Sequence, residues 1–202
     1  GWVWPPSTAM RAAGKKCLAR LDELGVVYER AKAARKINTP IVVPGMTFGG
    51  VKLTSIFRKP PFVMDCHLAK AFAEKGEILY REGVRELRFS TIHNYRHVRL
   101  GGKTLTALSR HALGLAVDVY EFVLAGDERV TVKADYQSGA LNGIEAAAWA
   151  SGGFRAVLTP GNDRRSHYDH FHFEAQMQLP SARADRGNPL KLSQRGAKRR
   201  RR

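Results

Sequence analysis

The sequence predicts an α+β domain in which helices pack around an antiparallel sheet. Apolar residues recur at helical spacing in three stretches, near 8–24, 60–75 and 141–150. β-Branched and aromatic residues cluster over 84–92, 114–124, 130–132, 154–158 and 170–174, with Gly, Pro and Asp punctuation between them. Strands that follow one another without a helix between each pair belong to a sheet with helices gathered on it, not to a doubly wound one. At 202 residues the chain supports one domain with a real core and is too short for two ordinary ones. The boundary falls at a change of character, giving a domain over 1–180 and a basic tail over 181–202.

Ser7 or Thr8 caps a first helix whose stripe is Met10, Cys17, Leu18, Leu21 and Leu24, ended by Gly25. Val26 to Tyr28 is a short extended piece. Pro40, Pro44, Gly45, Gly49 and Gly50 then break up a long irregular connection. Pro60-Pro61 opens a second helix through Phe62, Cys66, Leu68, Ala69 and Phe72, running to Lys75 or a little beyond. Val84 to Ile92 reads as a strand, as does Gly114 to Leu124, and the turn at 125–128 returns the chain to Val130-Thr131-Val132 as a hairpin. Leu141 to Ala150 is a third helix stopped by Gly152-Gly153, with Trp149 as a core anchor. Phe154 to Leu158 and His170 to Glu174 complete the sheet, joined by a loop over 159–169.

Two of these strands carry chemistry. Alternation along 114–124 puts Ala116, Asp118, Tyr120 and Phe122 on one face and Val117, Val119 and Val123 on the other. Asp118 is thus an acid in an apolar strand, costly to bury unless a cation or strong donors compensate it. His111 lies just upstream, in a turn or loop loosened by Gly101, Gly102 and Gly114, from which its ring can fold back toward Asp118. In His170-Phe171-His172-Phe173-Glu174 the two imidazoles and the carboxylate share one face and the phenylalanines the other. His111, Asp118 and His172 offer two nitrogens and an oxygen, a set suited to Zn2+, and three protein ligands leave a fourth tetrahedral position for water, the pattern of a catalytic site. His170, two residues from a ligand on the same face, is placed to take a proton from that water or to stabilise an oxyanion.

The motifs resemble the LAS group of zinc peptidases, named for lysostaphin-type enzymes, D-alanyl-D-alanine peptidases and the amino-terminal domain of sonic hedgehog. Within that group the chain is most similar to the bacterial extensin-like C-terminal domain family. The resemblance runs from about Cys17 to Glu174 through CLARLDELGVVYER, PPFVMDCHLAKAFAEKG, SRHALGLAVDVYEFVL and HYDHFHFE. It implies a LAS peptidase/hedgehog-like fold, His111, Asp118 and His172 as zinc ligands, His170 as catalytic partner, and hydrolysis of D-amino-acid-containing peptide bonds in peptidoglycan, as a cross-link endopeptidase or D,D-carboxypeptidase. Arg96, in HNYRHVR, sits where such proteins carry an arginine upstream of the zinc motif and is a candidate for anchoring substrate or transition state. The family carries more cysteines than the two found here, which leaves Cys17 and Cys66 either free or paired with each other. The implied location is periplasmic or secreted, in the bacterial cell envelope.

Other histidines read more plainly. His67 belongs to an apolar helical run and reads as packing. His93 and His97 read as loop histidines, with a place along a cleft as the alternative, and His167 and Asp169 are candidates to orient a ligand imidazole. No apolar run reaches the length of a membrane span, and the chain opens on Gly1 with no complete signal peptide, reading as a processed or recombinant chain.

The net charge is +16, and residues 181–202 hold nine Lys or Arg against one Asp, half of that excess. Such a run is solvated and disordered by default, and through weak, screened contacts it suits anionic partners, among which envelope phosphates and carboxylates, lipid headgroups and nucleic acid are all eligible; anionic cell-envelope polymer is the partner expected with the family's implied location. Binding to a specific nucleic acid is not expected, because no base-reading motif accompanies the tail. The alternative to an enzyme is a catalytically inactive zinc-stabilised binding domain at the cell wall, for which His170 would have no use.

Overall fold

A computed structural model of the chain describes residues 3–32, 34–177 and 179. Helix α1 (Thr8–Glu23) starts where the hydroxyl of Ser7 accepts the Met10 N–H at 3.2 Å, and it ends at Gly25 in the left-handed region. It buries Met10, Ala13, Cys17 and Leu21. The connection that follows is less irregular than its Pro and Gly content suggests. It contains β1 (Glu29–Arg30), β2 (Pro40–Val42), β3 (Thr47–Phe48), β4 (Val51–Ser55) and β5 (Val63–Asp65), of which β1, β2 and β5 make a small antiparallel sheet.

Helix α2 (Cys66–Arg81) begins later than Pro60-Pro61 and extends past Lys75. The two prolines lead into β5, which pairs with β2, and the chain turns helical only where the Asp65 carboxylate accepts the His67 N–H at 3.0 Å. A proline suits the first turn of a helix but does not compel one, and the cap decides the start. His67, expected as half-buried packing, is buried outright, and its Nδ1–H donates to Asp65 at 2.7 Å.

The remaining elements are β6 (Val84–Phe89), the hairpin of β7 (His97–Leu100) and β8 (Lys103–Leu108), β9 (Ala116–Leu124), β10 (Arg129–Thr131), the short α3 (Val132–Asp135), α4 (Asn142–Ala150), β11 (Phe154–Leu158) and β12 (Phe171–Ala175). The large sheet runs β11-β12-β9-β6-β4-β3, with β10 also paired to β9. It is mixed, not purely antiparallel, because β4 and β6 run parallel. Helix α2 lies between them in sequence and supplies the crossover that parallel neighbours require. The class is α+β as the sequence predicts.

One core unites the layers. Phe72 of α2 meets the rings of Phe48, Phe154 and Phe173 at 6.1, 5.1 and 5.6 Å, and Phe122 meets Phe171 at 5.2 Å. Each such ring removed from water contributes roughly 1.5–3 kcal/mol. Phe122 sits with Val117 and Val119 in this core, not on the Asp118 face, because the pairing of β9 with β6 slips at Tyr120: Arg88 faces Glu121 and Phe89 faces Val119. Trp149 is 51% exposed, and α4 is anchored instead by Ile144 and Ala148. Gly76 lets α2 lie directly on the β3–β4 turn, since a Cβ there would stand 2.1 Å from the Phe48 carbonyl oxygen.

Cys17 and Cys66 form a disulfide that ties the middle of α1 to the first residue of α2 across 49 residues of sequence. Closing a loop of about fifty residues removes unfolded-state entropy equivalent to about 4 kcal/mol. The Cys17→Ala/Cys66→Ala double variant is therefore expected to lose about 2–4 kcal/mol of unfolding free energy in denaturant titrations. A midpoint equal to that of the oxidised parent would show that the bridge does not constrain the unfolded chain.

Candidate metal centre

The chain places His111 by a turn and Asp118 and His172 by strand pairing. Ser109 caps the turn, its Oγ accepting the Ala112 N–H at 3.2 Å, and His111–Leu113 forms one 3-10 turn. Gly114 closes it at φ +66, where a Cβ would lie 2.8 Å from the Asp65 nitrogen. The Gly114 carbonyl accepts that same Asp65 N–H at 2.9 Å. The S-x-H-x-x-G spacing is thus the spacing of a capped turn docked on the cap of α2. In β9 and β12, His172 pairs directly with Asp118 and Glu174 with Ala116, whose small side chain leaves room for the carboxylate beside it.

Three atoms converge. His111 Nε2 lies 3.1 Å from Asp118 Oδ1 and 3.2 Å from His172 Nδ1, and His172 Nδ1 lies 2.6 Å from Asp118 Oδ1. All three residues are buried, and together they form a group that could hold a metal ion. The other nitrogen of each ring is already committed: His111 Nδ1–H donates to the Ile92 carbonyl at 3.1 Å and His172 Nε2–H to Glu174 Oε1 at 3.2 Å. In the neutral tautomers these bonds select, two imidazole lone pairs and a carboxylate oxygen face one another, an arrangement that demands a cation. Ligand atoms of a tetrahedral ion bound at about 2.0–2.1 Å stand about 3.3 Å apart, close to the two longer separations. The third separation, 2.6 Å, is that of a hydrogen bond, so the donor set suits a metal ion whose binding would part His172 from Asp118.

The electrostatics follow from that convergence. Burial alone would raise the pKa of Asp118, but hydrogen bonds from His111 and His172 and their charges outweigh it and hold the carboxyl well below the usual range. Burial alone would lower that of His172, yet bonding to Asp118 and Glu174 pushes it up to about 9. Glu174 is opposed by burial and then lowered by His172, Arg155 and Arg110. Arg155 is bonded to Glu174 Oε2, and Arg110, 3.7 Å from the same oxygen, also donates to the Ala175 carbonyl.

His170 lies beside the group. Its Nδ1–H donates to Asp169 at 2.8 Å, which turns Nε2 inward to 3.6 Å from Asp118 Oδ1. Its ring stacks on Tyr120 at 5.0 Å and 22°. His167, its Nδ1 bonded to Asp163 at 2.9 Å, packs 5.0 Å from the His170 ring and 5.3 Å from the His172 ring. Burial and the neighbouring histidines lower its pKa. Asp169 thus orients His170 and not a ligand. Arg96 is exposed, and its guanidinium makes no hydrogen bond or ion pair with these side chains; its carbonyl accepts the Ser109 N–H at 2.9 Å at the base of the β7–β8 hairpin. Tyr120, Arg110 and Arg155 had no assigned part in the sequence reading, although Tyr120 stands two residues from Asp118 on the same face and Arg110 adjoins His111.

A buried group of two histidines and one aspartate, on a mixed sheet backed by helices, defines a domain able to bind a metal ion. The family described as Extensin-like protein C-terminus matches residues 15–184. The chain belongs to that family. No curated protein and no solved structure matches the chain.

The shifts set the pH response of the metal-free protein. His172 is raised, so its contribution to stability is full below its unfolded value of about 6.5 and is lost as pH rises through about 9. Asp118 is lowered, so its contribution is present above its unfolded value of about 3.9 and is lost as pH falls. The melting temperature of chelator-treated protein should fall between about pH 6.5 and about pH 9, and binding one divalent ion near neutral pH should release about one proton from His172. Calorimetry in buffers of different ionisation enthalpy counts that proton. A count of zero would show that His172 is already neutral without metal.

Proposed function

We propose that this domain is a zinc-dependent peptidase that hydrolyses D-amino-acid-containing peptide bonds of peptidoglycan. The observation that carries the reading is the pairing of a three-ligand group with a separate, carboxylate-oriented histidine at its edge. A protein that only stored or displayed a metal has no need of the second part. Zn2+ held by His111, Asp118 and His172 would supply a Lewis acid and a water of lowered pKa. The likeness of SRHALGLAVDVYEFVL and HYDHFHFE to LAS peptidases supports the substrate class.

The side chains divide the remaining work. Asp169 fixes the tautomer of His170 by accepting its Nδ1–H, so that Nε2 carries a lone pair toward the group. That nitrogen accepts a proton as attack begins and returns it to the leaving amine. Tyr120 holds the imidazole plane by stacking, and burial together with the charges of Asp118 and Asp169 keeps its phenol protonated. Glu174, clamped by Arg155 and Arg110, fixes the His172 ring. Arg96, exposed on the segment leading into the β7–β8 hairpin, is the candidate to meet a substrate carboxylate from outside.

Peptidoglycan stem peptides are the proposed partner, in the periplasm or outside the cell. The Cys17–Cys66 disulfide is compatible with an oxidising compartment. The basic segment 181–202, which lies outside the described residues, would hold the protein near anionic envelope polymer. Among the described residues no helix is long and apolar enough to cross a membrane.

Cross-linked and pentapeptide muropeptides incubated with zinc-loaded protein should yield new fragments by mass spectrometry. His170→Ala should retain about one zinc per chain and lose roughly 10²-fold or more in rate, whereas His111→Ala, Asp118→Ala and His172→Ala should each lose the metal. Loss of zinc from His170→Ala would make that residue a ligand. Muropeptides left intact by the metal-loaded protein, under conditions where a matched peptidase digests them, would return the domain to a zinc-stabilised binding role.

A further inference from the structure

Beside the metal centre lies a cleft of about 200 Å³ whose walls include Arg58, Lys59, Phe62, Ser90, Thr91 and His93. Its position follows from the strand order. β4 ends at Ser55 opposite Phe89 of β6, and the Ile56 N–H donates to the Phe89 carbonyl at 2.9 Å, which lays the segment after β4 along the residues that follow β6. The Ser55 hydroxyl accepts the N–H groups of Phe57 and Arg58 at 3.2 and 3.0 Å, fixing the backbone that carries the two cations. Phe62 packs edge-on against Phe89 at 5.0 Å and makes an apolar floor.

The opposite wall is shared with the metal centre. The Ser90 N–H donates to the Asp118 carbonyl at 3.0 Å, the Thr91 carbonyl accepts the Asp118 N–H at 3.3 Å, and the Ile92 carbonyl accepts His111 Nδ1–H. The Ser90 side chain lies by the phenol of Tyr120, the ring on which His170 stacks, and favours its ionised form. Three consecutive wall residues therefore hold two of the three candidate ligands, and one of them also touches the platform of the candidate base.

The chemistry of the cleft is one-sided. No aspartate or glutamate is among the residues that line it, and neither Arg58 nor Lys59 has an ion-pair partner among the described residues. The volume is below the ~300–1,000 Å³ of sites that engulf a drug-sized molecule, so it suits one side chain or a chain end rather than a whole substrate. Two unpaired cations, two hydroxyl residues and a phenylalanine floor match a carboxylate on a short hydrocarbon stem.

We infer that this cleft is a carboxylate subsite, which gives the enzyme a preference for peptides bearing a free carboxylate next to the bond that is cut. The inference rests on the peptidase reading for the identity of the ligand as a peptide. Charge-assisted bonds from Arg58 and Lys59 carry the recognition, Phe62 covers the stem, and the shared Ser90–Ile92 wall sets the distance between the carboxylate and the metal centre.

The test uses the zinc-loaded protein carrying His170→Ala, so that binding is read without turnover, with N-acetyl-D-alanyl-D-alanine and its C-terminal amide as probes at about physiological salt. The acid is expected to bind about tenfold or more tighter than the amide. Arg58→Ala/Lys59→Ala should abolish that difference at unchanged zinc content and melting temperature, and Arg58→Lys in place of Arg58→Ala should restore part of it. A full acid preference in the double variant would place the carboxylate elsewhere, on Arg96 or the metal itself, and overturn the subsite; so would equal binding of acid and amide to the parent. Muropeptide digestion separates the two readings. An acid preference that Arg58→Ala/Lys59→Ala removes, without hydrolysis by the His170 enzyme, supports the cleft and rejects the peptidase, whereas hydrolysis with an acid preference unchanged by Arg58→Ala/Lys59→Ala rejects the cleft alone.

Discussion

The register of β12 against β9 is the constraint on which the rest of the molecule depends. With His172 opposite Asp118, the phenylalanines on either side of His172 point into the core, where Phe173 meets Phe72 and Phe154 and Phe171 meets Phe122. Side chains alternate strictly along a strand, so a slip of one residue would exchange the aromatic and imidazole faces. That exchange would expose two large rings and bury two histidines and a glutamate against hydrocarbon, a loss of several kcal/mol on either count. The aromatic core therefore holds the polar group in place, and the same alternation specifies both.

On the polar side, charge is arranged in alternating layers. Arg110 and Arg155 face Glu174, Glu174 faces His172, and His172 faces Asp118. Each ionic group is partly or wholly withdrawn from water, and each has a partner of opposite sign or a ring able to take one. A buried carboxylate in this setting is tolerable because the compensation is continuous from the protein surface inward. The last member, the space between Asp118 and the two imidazoles, is completed by a single cation. A proton on His172 serves in the metal-free protein, and a metal ion would serve in its place.

How much of this was legible in the sequence depends on whether the signal was local. The H-x-H alternation, the glycine closing the His111 turn and the acid inside an apolar strand are short-range patterns, and the structure brings those residues together as read. Phe122 escaped the alternation because a register irregularity at Tyr120 depends on β6, a strand thirty-odd positions away in the chain. Pro60-Pro61 resembles a helix start, and only the pairing of β5 with β2 shows that the backbone is still extended there. The parallel neighbours β4 and β6 were hidden for a related reason: Val51 to Ser55 sits among glycines and prolines, and its partner is reached through α2. Trp149 has the composition of an anchor but lies on the outer face of a short helix, where hydrophobicity alone does not predict burial. Arg96 was selected by position in a motif, and position in sequence does not bring its side chain against the histidines.

The spacing of the three converging side chains has a consequence for how the chain is made. His111 and Asp118 emerge within one turn and strand, but His172 follows Asp118 by 54 residues and His111 by 61. A ribosome therefore releases two of the three donors long before the last, and through most of synthesis the growing polypeptide presents only a bidentate pair, a weak chelator. Tight capture of an ion would wait until β12, the last strand among the described residues, docks against β9. Occupancy of the site would in that sense be a certificate of completed folding, and a chain truncated before His172 would lack the third donor as surely as β12.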